Sequence, residues 1–118
     1  MKKAQIHPTA IIEEGATLGK YVRIGPYAIL EEGAQIGKGC IVHSHAVVKK
    51  NALLGDGVEV GHFSVIGGDP QHTGFDRRVM SKVVIEQDTR IGEGVTVHRS
   101  IEKNGVTRVG ANLSLIHI

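Results

Sequence analysis

Tryptophan is missing from this 118-residue sequence, and its aromatic rings amount to two Tyr and two Phe. A layered globular core draws much of its buried area from such rings, so the chain lacks the usual material for one. Its apolar mass is Ile, Val, Leu and Ala, which suits narrow, regular packing of β-branched side chains. The single cysteine, Cys40, excludes an internal disulfide and fits a reducing compartment. No apolar run approaches the ~20 residues of a membrane span. The opening Met1-Lys2-Lys3-Ala4-Gln5 has none of the apolar stretch of a secretion signal, so a cytoplasmic location is expected. A net charge of +2 gives no case for nucleic acid. The slight basic surplus lies after residue 75, in Arg77, Arg78, Lys82, Arg90, Arg99, Lys103 and Arg108, and reads first as a solvated face.

What the chain has in quantity is glycine, 16 residues, and a strict internal period. Steps of six from Ile6 meet Ile12, Leu18, Ile24, Leu30, Ile36, Val42, Val48, Leu54, Val60 and Ile66, all aliphatic. Two residues before each, from Ile12 onward, stands a small side chain: Ala10, Ala16, Val22, Ala28, Ala34, Cys40, Ala46, Ala52, Val58 and Ser64. Two inward positions separated by an outward one describe a short strand. The Gly- and charge-rich remainder must turn the chain before the next strand. Three such strands close an 18-residue triangular coil, and successive coils stack by parallel pairing. No unit buries its apolar side alone, so each added coil stabilises the last. The expected fold is all-β, a parallel β-helix of about six coils in a single domain over 1–118.

The register breaks after Ile66. Residues 67–82 have no six-residue period and read as a loop thrown out of the prism, beginning with a turn at Gly67-Gly68-Asp69-Pro70. The pattern returns at Ile85, Ile91 and Val97, with Thr89, Val95 and Ile101 as companions. Glu102-Lys103-Asn104-Gly105 reads as a smaller excursion before Val109 and Leu115 resume in phase. The closing residues Leu113, Leu115, Ile116 and Ile118 form an apolar, uncapped edge. They are expected to fray beyond Val109 or to recruit other chains.

Ile6-His-Pro-Thr-Ala10 and the hexads resemble the hexapeptide-repeat transferases. Ser64-Val-Ile-Gly-Gly-Asp-Pro-Gln71, followed by a loop and then Val95-Thr-Val-His-Arg99, is similar to the acyl-ACP:UDP-N-acetylglucosamine O-acyltransferases over roughly residues 6–112. The resemblance implies a left-handed helix and a homotrimer with its sites between subunits. It also implies transfer of a 3-hydroxyacyl chain from acyl carrier protein to the sugar 3-hydroxyl of UDP-N-acetylglucosamine, the first step of lipid A synthesis. No cofactor or metal is implied. Gln71, His72, His98 and Arg99 become the candidate substrate-binding residues. The chemistry needs a base, because a neutral alcohol is a poor nucleophile, and a donor for the tetrahedral oxyanion. The family's base stands in a His-Ile-Ala-His-Asp-type segment that this sequence does not contain, and His117 is not assigned that role. The family's Asp-Leu-Lys-Tyr after Pro-Gln is replaced by His72-Thr73-Gly74-Phe75, which puts sugar recognition in question.

Seven histidines keep a second reading open. His43 and His45 stand on alternate residues, and His62 follows His43 by 19 residues, about one coil higher. The γ-class carbonic anhydrases, also left-handed β-helices, hold zinc with three interfacial His, and neutral imidazoles suit zinc. Solvated turns or a subunit contact explain the same residues. A third reading is a non-catalytic hexapeptide-repeat scaffold. Cys40, in an inward slot, reads as a buried inert thiol. Gly67 and Gly68 fit either a plain turn or the close approach of backbone to a ligand.

Overall fold

A computed structural model describes residues 4–115, all strand and turn. The first face of the prism stacks β1 (Gln5–Ile6), β4 (Arg23–Ile24), β7 (Ile41–Val42), β10 (Glu59–Val60), β13 (Arg90–Ile91) and β16 (Ser114–Leu115). The second face stacks β2 (Ile11–Ile12), β5 (Ile29–Leu30), β8 (Val47–Val48), β11 (Val65–Gly68) and β14 (Thr96–His98). The third stacks β3 (Thr17–Leu18), β6 (Gln35–Ile36), β9 (Ala52–Leu54), β12 (Lys82–Ile85) and β15 (Val106–Val109). Every pairing is parallel, so the architecture is the expected β-helix.

Register shows how the repeat tolerates its interruptions. In the lower coils partners lie 18 residues apart, as in Ile24 with Val42 and Leu30 with Val48. Across the first interruption the step becomes 31, Val60 with Ile91 and Leu54 with Ile85; across the second it is 24, Ile85 with Val109. The added residues leave the prism as loops and the columns close over them unshifted, because a slip by one would turn every inward side chain outward.

The columns fill the interior. Val22, Ala28, Leu30, Ala34, Cys40, Val42, Ala46, Val48, Val58, Val60, Ile66, Val83 and Ile85 are fully enclosed. Each large aliphatic among them contributes about 1.5–3 kcal/mol by leaving water. The register weakens at the first coil, where nothing among the described residues stacks beneath: Ile6 is 43% exposed and Ile12 and Leu18 are half-buried. Stacking also fixes where a side chain is forbidden. A Cβ on Gly19 would lie 2.5 Å from the backbone N of Lys38 in the next coil.

Two polar residues occupy the companion column and are satisfied there. The Ser64 hydroxyl donates to the Gly92 carbonyl at 2.6 Å and accepts the Val95 N–H at 3.0 Å. Thr89 does the same with the Gly110 carbonyl and the Leu113 N–H, at 2.6 and 3.3 Å.

Three expectations change in detail. Gly67 and Gly68 are not a turn but the end of β11, which bulges between Ile66 and Gly68 with Gly67 at φ 92°. Lys82 already belongs to β12, so the loop proper is 69–81, with its turns at Thr73-Gly74 and Arg77-Arg78. Ile101 is 48% exposed rather than inward, because the second excursion leaves the prism directly after Arg99. Beyond Val109 the coil continues in register, Ser114 and Leu115 pairing with Arg90 and Ile91. Ile116, His117 and Ile118 lie outside the described residues.

Candidate functional site

The two segments that carry the resemblance meet in space. Residues 69–81 leave the corner between the second and third faces, and β14, one coil on, delivers His98 beside Gly68 and Arg99 directly beneath the loop. The Arg99 N–H donates to the Gly68 carbonyl at 2.8 Å. Its guanidinium is 5% exposed and spends its donors on the loop. Nε donates to Asp69 Oδ1 at 3.0 Å, Nη2 to the Arg77 carbonyl at 3.0 Å, and Nη1 to Ser81 Oγ at 3.0 Å and to the Val79 carbonyl. The Phe75 ring covers the same guanidinium, 4.8 Å from centroid to Cζ, a cation–π contact. Ser81, also buried, passes its own proton to the Ser100 carbonyl at 2.7 Å. A planar fork with five donors is the one side chain able to gather so many acceptors at one point.

Of the four candidates, then, Arg99 is committed to holding the loop. Gln71 and His72 are exposed on the loop, and His98 is half-buried at its foot. His72 Nδ1 accepts the Gly74 N–H at 3.2 Å, closing the Thr73-Gly74 turn. No hydrogen bond links Gln71, His72 and His98 to one another among the described residues. Sequence reasoning passed over Asp69, Phe75 and Ser81 as partners of Arg99. The available signal was an Arg two residues after the inward Val97, on the same side of the strand, which has to reach a carboxylate or carbonyls once it is buried.

A second polar group lies on the first face. His43 Nε2 and Glu59 Oε2 are 2.7 Å apart, Glu59 Oε1 pairs with Arg90 Nε at 3.5 Å, and His62 Nδ1 bonds Ser44 Oγ at 2.8 Å. The His43 and His62 rings lie 4.8 Å apart. They separate a groove of about 620 Å³, bordered by Arg23 and Ile41, from one of about 400 Å³, bordered by Arg90 and Glu93. His45 turns away to stack on Tyr27 and Phe63. Among the described residues no three His, Cys, Asp or Glu converge as a metal would require. Four cations of the basic surplus, Arg77, Arg78, Arg90 and Arg108, are exposed and paired with carboxylates, as a solvated face would have them, whereas Arg99 is buried beneath the loop and departs from that reading. Beside Asp76, exposed on the loop, the Arg78 guanidinium holds the carboxyl below its ordinary range. Burial pushes the Cys40 thiol up, and its Sγ–H faces the Gly55 carbonyl at 3.0 Å.

Residues 15–50 and 33–68 match the bacterial transferase hexapeptide family (six repeats). These repeats are of the hexapeptide-repeat transferase kind, and the chain has the left-handed parallel β-helix of such proteins. It is 51% identical, over 97% of its own length and 43% of the relative's, to the acyl-[acyl-carrier-protein]–UDP-N-acetylglucosamine O-acyltransferase of a Sulfurihydrogenibium species. Two solved structures superpose closely. The UDP-N-acetylglucosamine acyltransferase from Campylobacter jejuni is 33% identical with a TM-score of 0.85, covering 97% of this chain and 45% of that one. The one from Bacteroides fragilis is 28% identical with a TM-score of 0.87, covering 96% and 46%. The chain thus spans less than half the length of the relatives it matches. No helix among the described residues is long and apolar enough to cross a membrane.

Proposed function

We propose that this chain is the N-terminal β-helix of an acyltransferase that moves a 3-hydroxyacyl group from acyl carrier protein to the 3-hydroxyl of UDP-N-acetylglucosamine, the entry to lipid A. In this reading the enzyme acts in the cytoplasm, as a homotrimer with sites between subunits and without a cofactor. The observation that carries it is the union of the two motif segments: Asp69 and Gly68 of one are bonded to Arg99 of the other. A loop held this firmly forms a fixed wall, from which Gln71 and His72 present polar groups to a sugar nucleotide while His98 stands at its foot. Arg99 acts through the loop as a positioning residue. Fixing the acceptor hydroxyl against a thioester accelerates acyl transfer by orientation alone, before any base acts.

Calorimetric titration of the 118-residue chain with UDP-N-acetylglucosamine tests this reading. Binding that weakens at least ~10-fold in Gln71→Ala, the loss of one or two good hydrogen bonds, supports it. No binding at millimolar ligand, or binding indifferent to Gln71, His72 and His98, counts against it. Transfer assays on the same chain should show no turnover, since the family's His-Ile-Ala-His-Asp-type segment is absent and a missing general base costs ~10²–10⁴-fold.

A further inference from the structure

The corners of the prism differ in how they treat one backbone donor, the N–H of the middle residue in each three-residue turn. Between the second and third faces, the Glu32 N–H donates to Glu13 Oε1 at 2.8 Å and the Lys50 N–H to Glu31 Oε1 at 3.2 Å. In both, the first residue of the turn below sends its carboxylate up to the middle N–H of the turn above. Between the third and first faces, the Lys38 N–H meets Asp56 Oδ1 at 2.9 Å, this time from the coil above. At each of these places a turn amide collects an oxyanion, the partner that its partial positive charge favours.

Between the first and second faces the turn His43-Ser44-His45 has the same shape as Glu31-Glu32-Gly33, its third residue at φ 63° against 82°. The residue below Ser44, in the position Glu13 takes below Glu32, is Gly25, which has no side chain to send. A Cβ built on Gly25 would stand 2.9 Å from the Ser44 nitrogen, so the amide lies directly over the glycine. Among the described residues the Ser44 N–H has no acceptor. The groove of about 620 Å³ on the first face opens here. Its lining contains Arg23 and no Asp or Glu; Glu59 lines the neighbouring groove, held there by His43 and Arg90. Arg23 is exposed and, among the described residues, pairs with no carboxylate. The Ser44 hydroxyl bonds His62 Nδ1 at 2.8 Å. When Nδ1 carries the proton it donates to Oγ, and the hydroxyl proton can turn into the groove. Ile6, Pro26 and Ile41 give the same groove an apolar wall.

We propose that this groove binds the oxyanion of a small organic phosphate monoester, one ligand oxygen taking the place that a Glu carboxylate takes between the other faces. The Ser44 N–H and hydroxyl donate to it, and the Arg23 guanidinium supplies the balancing charge through a planar fork that matches phosphate. Three donor groups along one wall suit the three oxygens of a phosphate monoester better than the two of a carboxylate. The volume falls within the ~300–1,000 Å³ of small-molecule sites and is far more than a bare phosphate fills, so the apolar wall takes the organic body. The site lies in the second and third coils, at a different corner from the 69–81 loop, and does not rest on the function proposed above.

Amide NMR of the whole chain, titrated with phenyl phosphate near neutral pH, tests the site. Ionic strength is held constant so that screening of an exposed Arg does not pass for binding. The Ser44 and Gly25 amides are expected to move saturably, with a midpoint on the order of a millimolar. Arg23→Gln should weaken binding at least ~10-fold, the loss of a charged hydrogen bond. Ser44→Pro, read at Gly25 and His45, removes the N–H and should weaken it as much; the same turn position already holds Pro8 and Pro26 in the two coils below. Ser44→Ala keeps the N–H and should cost less. Inorganic phosphate, without the ring, and benzoate, without the third oxygen, should each bind more weakly than phenyl phosphate. Either one binding as tightly would overturn the phosphate-ester assignment. The site itself is overturned if Ser44 and Gly25 show no saturable movement up to ~50 mM phenyl phosphate, or if Arg23→Gln binds with wild-type affinity. Arg23 is a surface residue, so that variant keeps the fold and decides the question even where Ser44→Pro unfolds.

Discussion

Replacing Arg99 by Met keeps most of the buried stem and removes every donor from beneath the loop. Four hydrogen bonds from a charged group disappear, each typically worth ~1.5–3 kcal/mol. Asp69 is 40% exposed and can rehydrate, so the ion pair counts at the low end of its range. The carbonyls of Arg77 and Val79 can likewise turn to water if the loop lifts. A net cost of about 3–4 kcal/mol follows, felt by the loop rather than by the prism. Little else restrains residues 69–81. Phe75 to His72 and Val79 to Asp76 are short-range turn bonds, and the ties across to the second excursion are the Asn104 N–H on the Met80 carbonyl and the Ser81 hydroxyl on the Ser100 carbonyl. The opening equilibrium of the loop should therefore rise ~10²–10³-fold, while β11 and β12 stay protected. Trypsin reads this directly, because Arg77 and Arg78 are already on the surface, 88% and 91% exposed, and only backbone opening limits cleavage. Arg99→Lys should fall between, since an ammonium can pair with Asp69 but cannot fork to three further acceptors. If Arg99→Met is cut at the wild-type rate and its loop amides exchange no faster, the loop is held by something else and the positioning role assigned to Arg99 is wrong.

Further outcomes follow from the packing. Ile36, 3% exposed between Leu18 and Leu54, should not tolerate Asp: an unpaired carboxylate in the dry prism costs several kcal/mol against a total of about 5–15, and thermal melting should show the variant unfolded. Gly19→Ala should lower the melting temperature because its Cβ would meet Lys38 backbone, whereas Gly33→Asn, at φ 82° with open space around it, should not. Cys40 should react with thiol reagents only as the chain unfolds. Its raised pKa favours the protonated thiol in the fold, so this small contribution to stability is present at neutral pH and fades as pH rises through the unfolded and then the folded pKa, which a Cys40→Ala comparison of melting against pH would reveal. Asp76, held low by the Arg78 side chain and then by its backbone N–H, should titrate by NMR below the ordinary aspartate range and move part of the way back in Arg78→Gln; lowering the pH through that midpoint weakens the local turn.

The sequence by itself determined the prism: an aliphatic residue every six positions, with a small one two before it, leaves one way to bury both columns, and the strands from Ile24 to Ile91 occupy those slots. It also marked where the pattern fails, because a missing period is as legible as a period. Tertiary structure decided what the failures do. That Arg99 is turned under the loop, bound to Asp69, Arg77, Val79 and Ser81, depends on partners 18 to 30 residues away, and only the stacking of β14 on β11 brings them within reach. Ile101 shows the same limit from the other side: its hexad position predicted burial, but the chain had already left the prism after Arg99. The uncapped Ser44 N–H was hidden for a related reason. Gly25 and Ser44 belong to different coils, and only the stacking of one turn on the next sets the amide over a residue with no side chain to meet it.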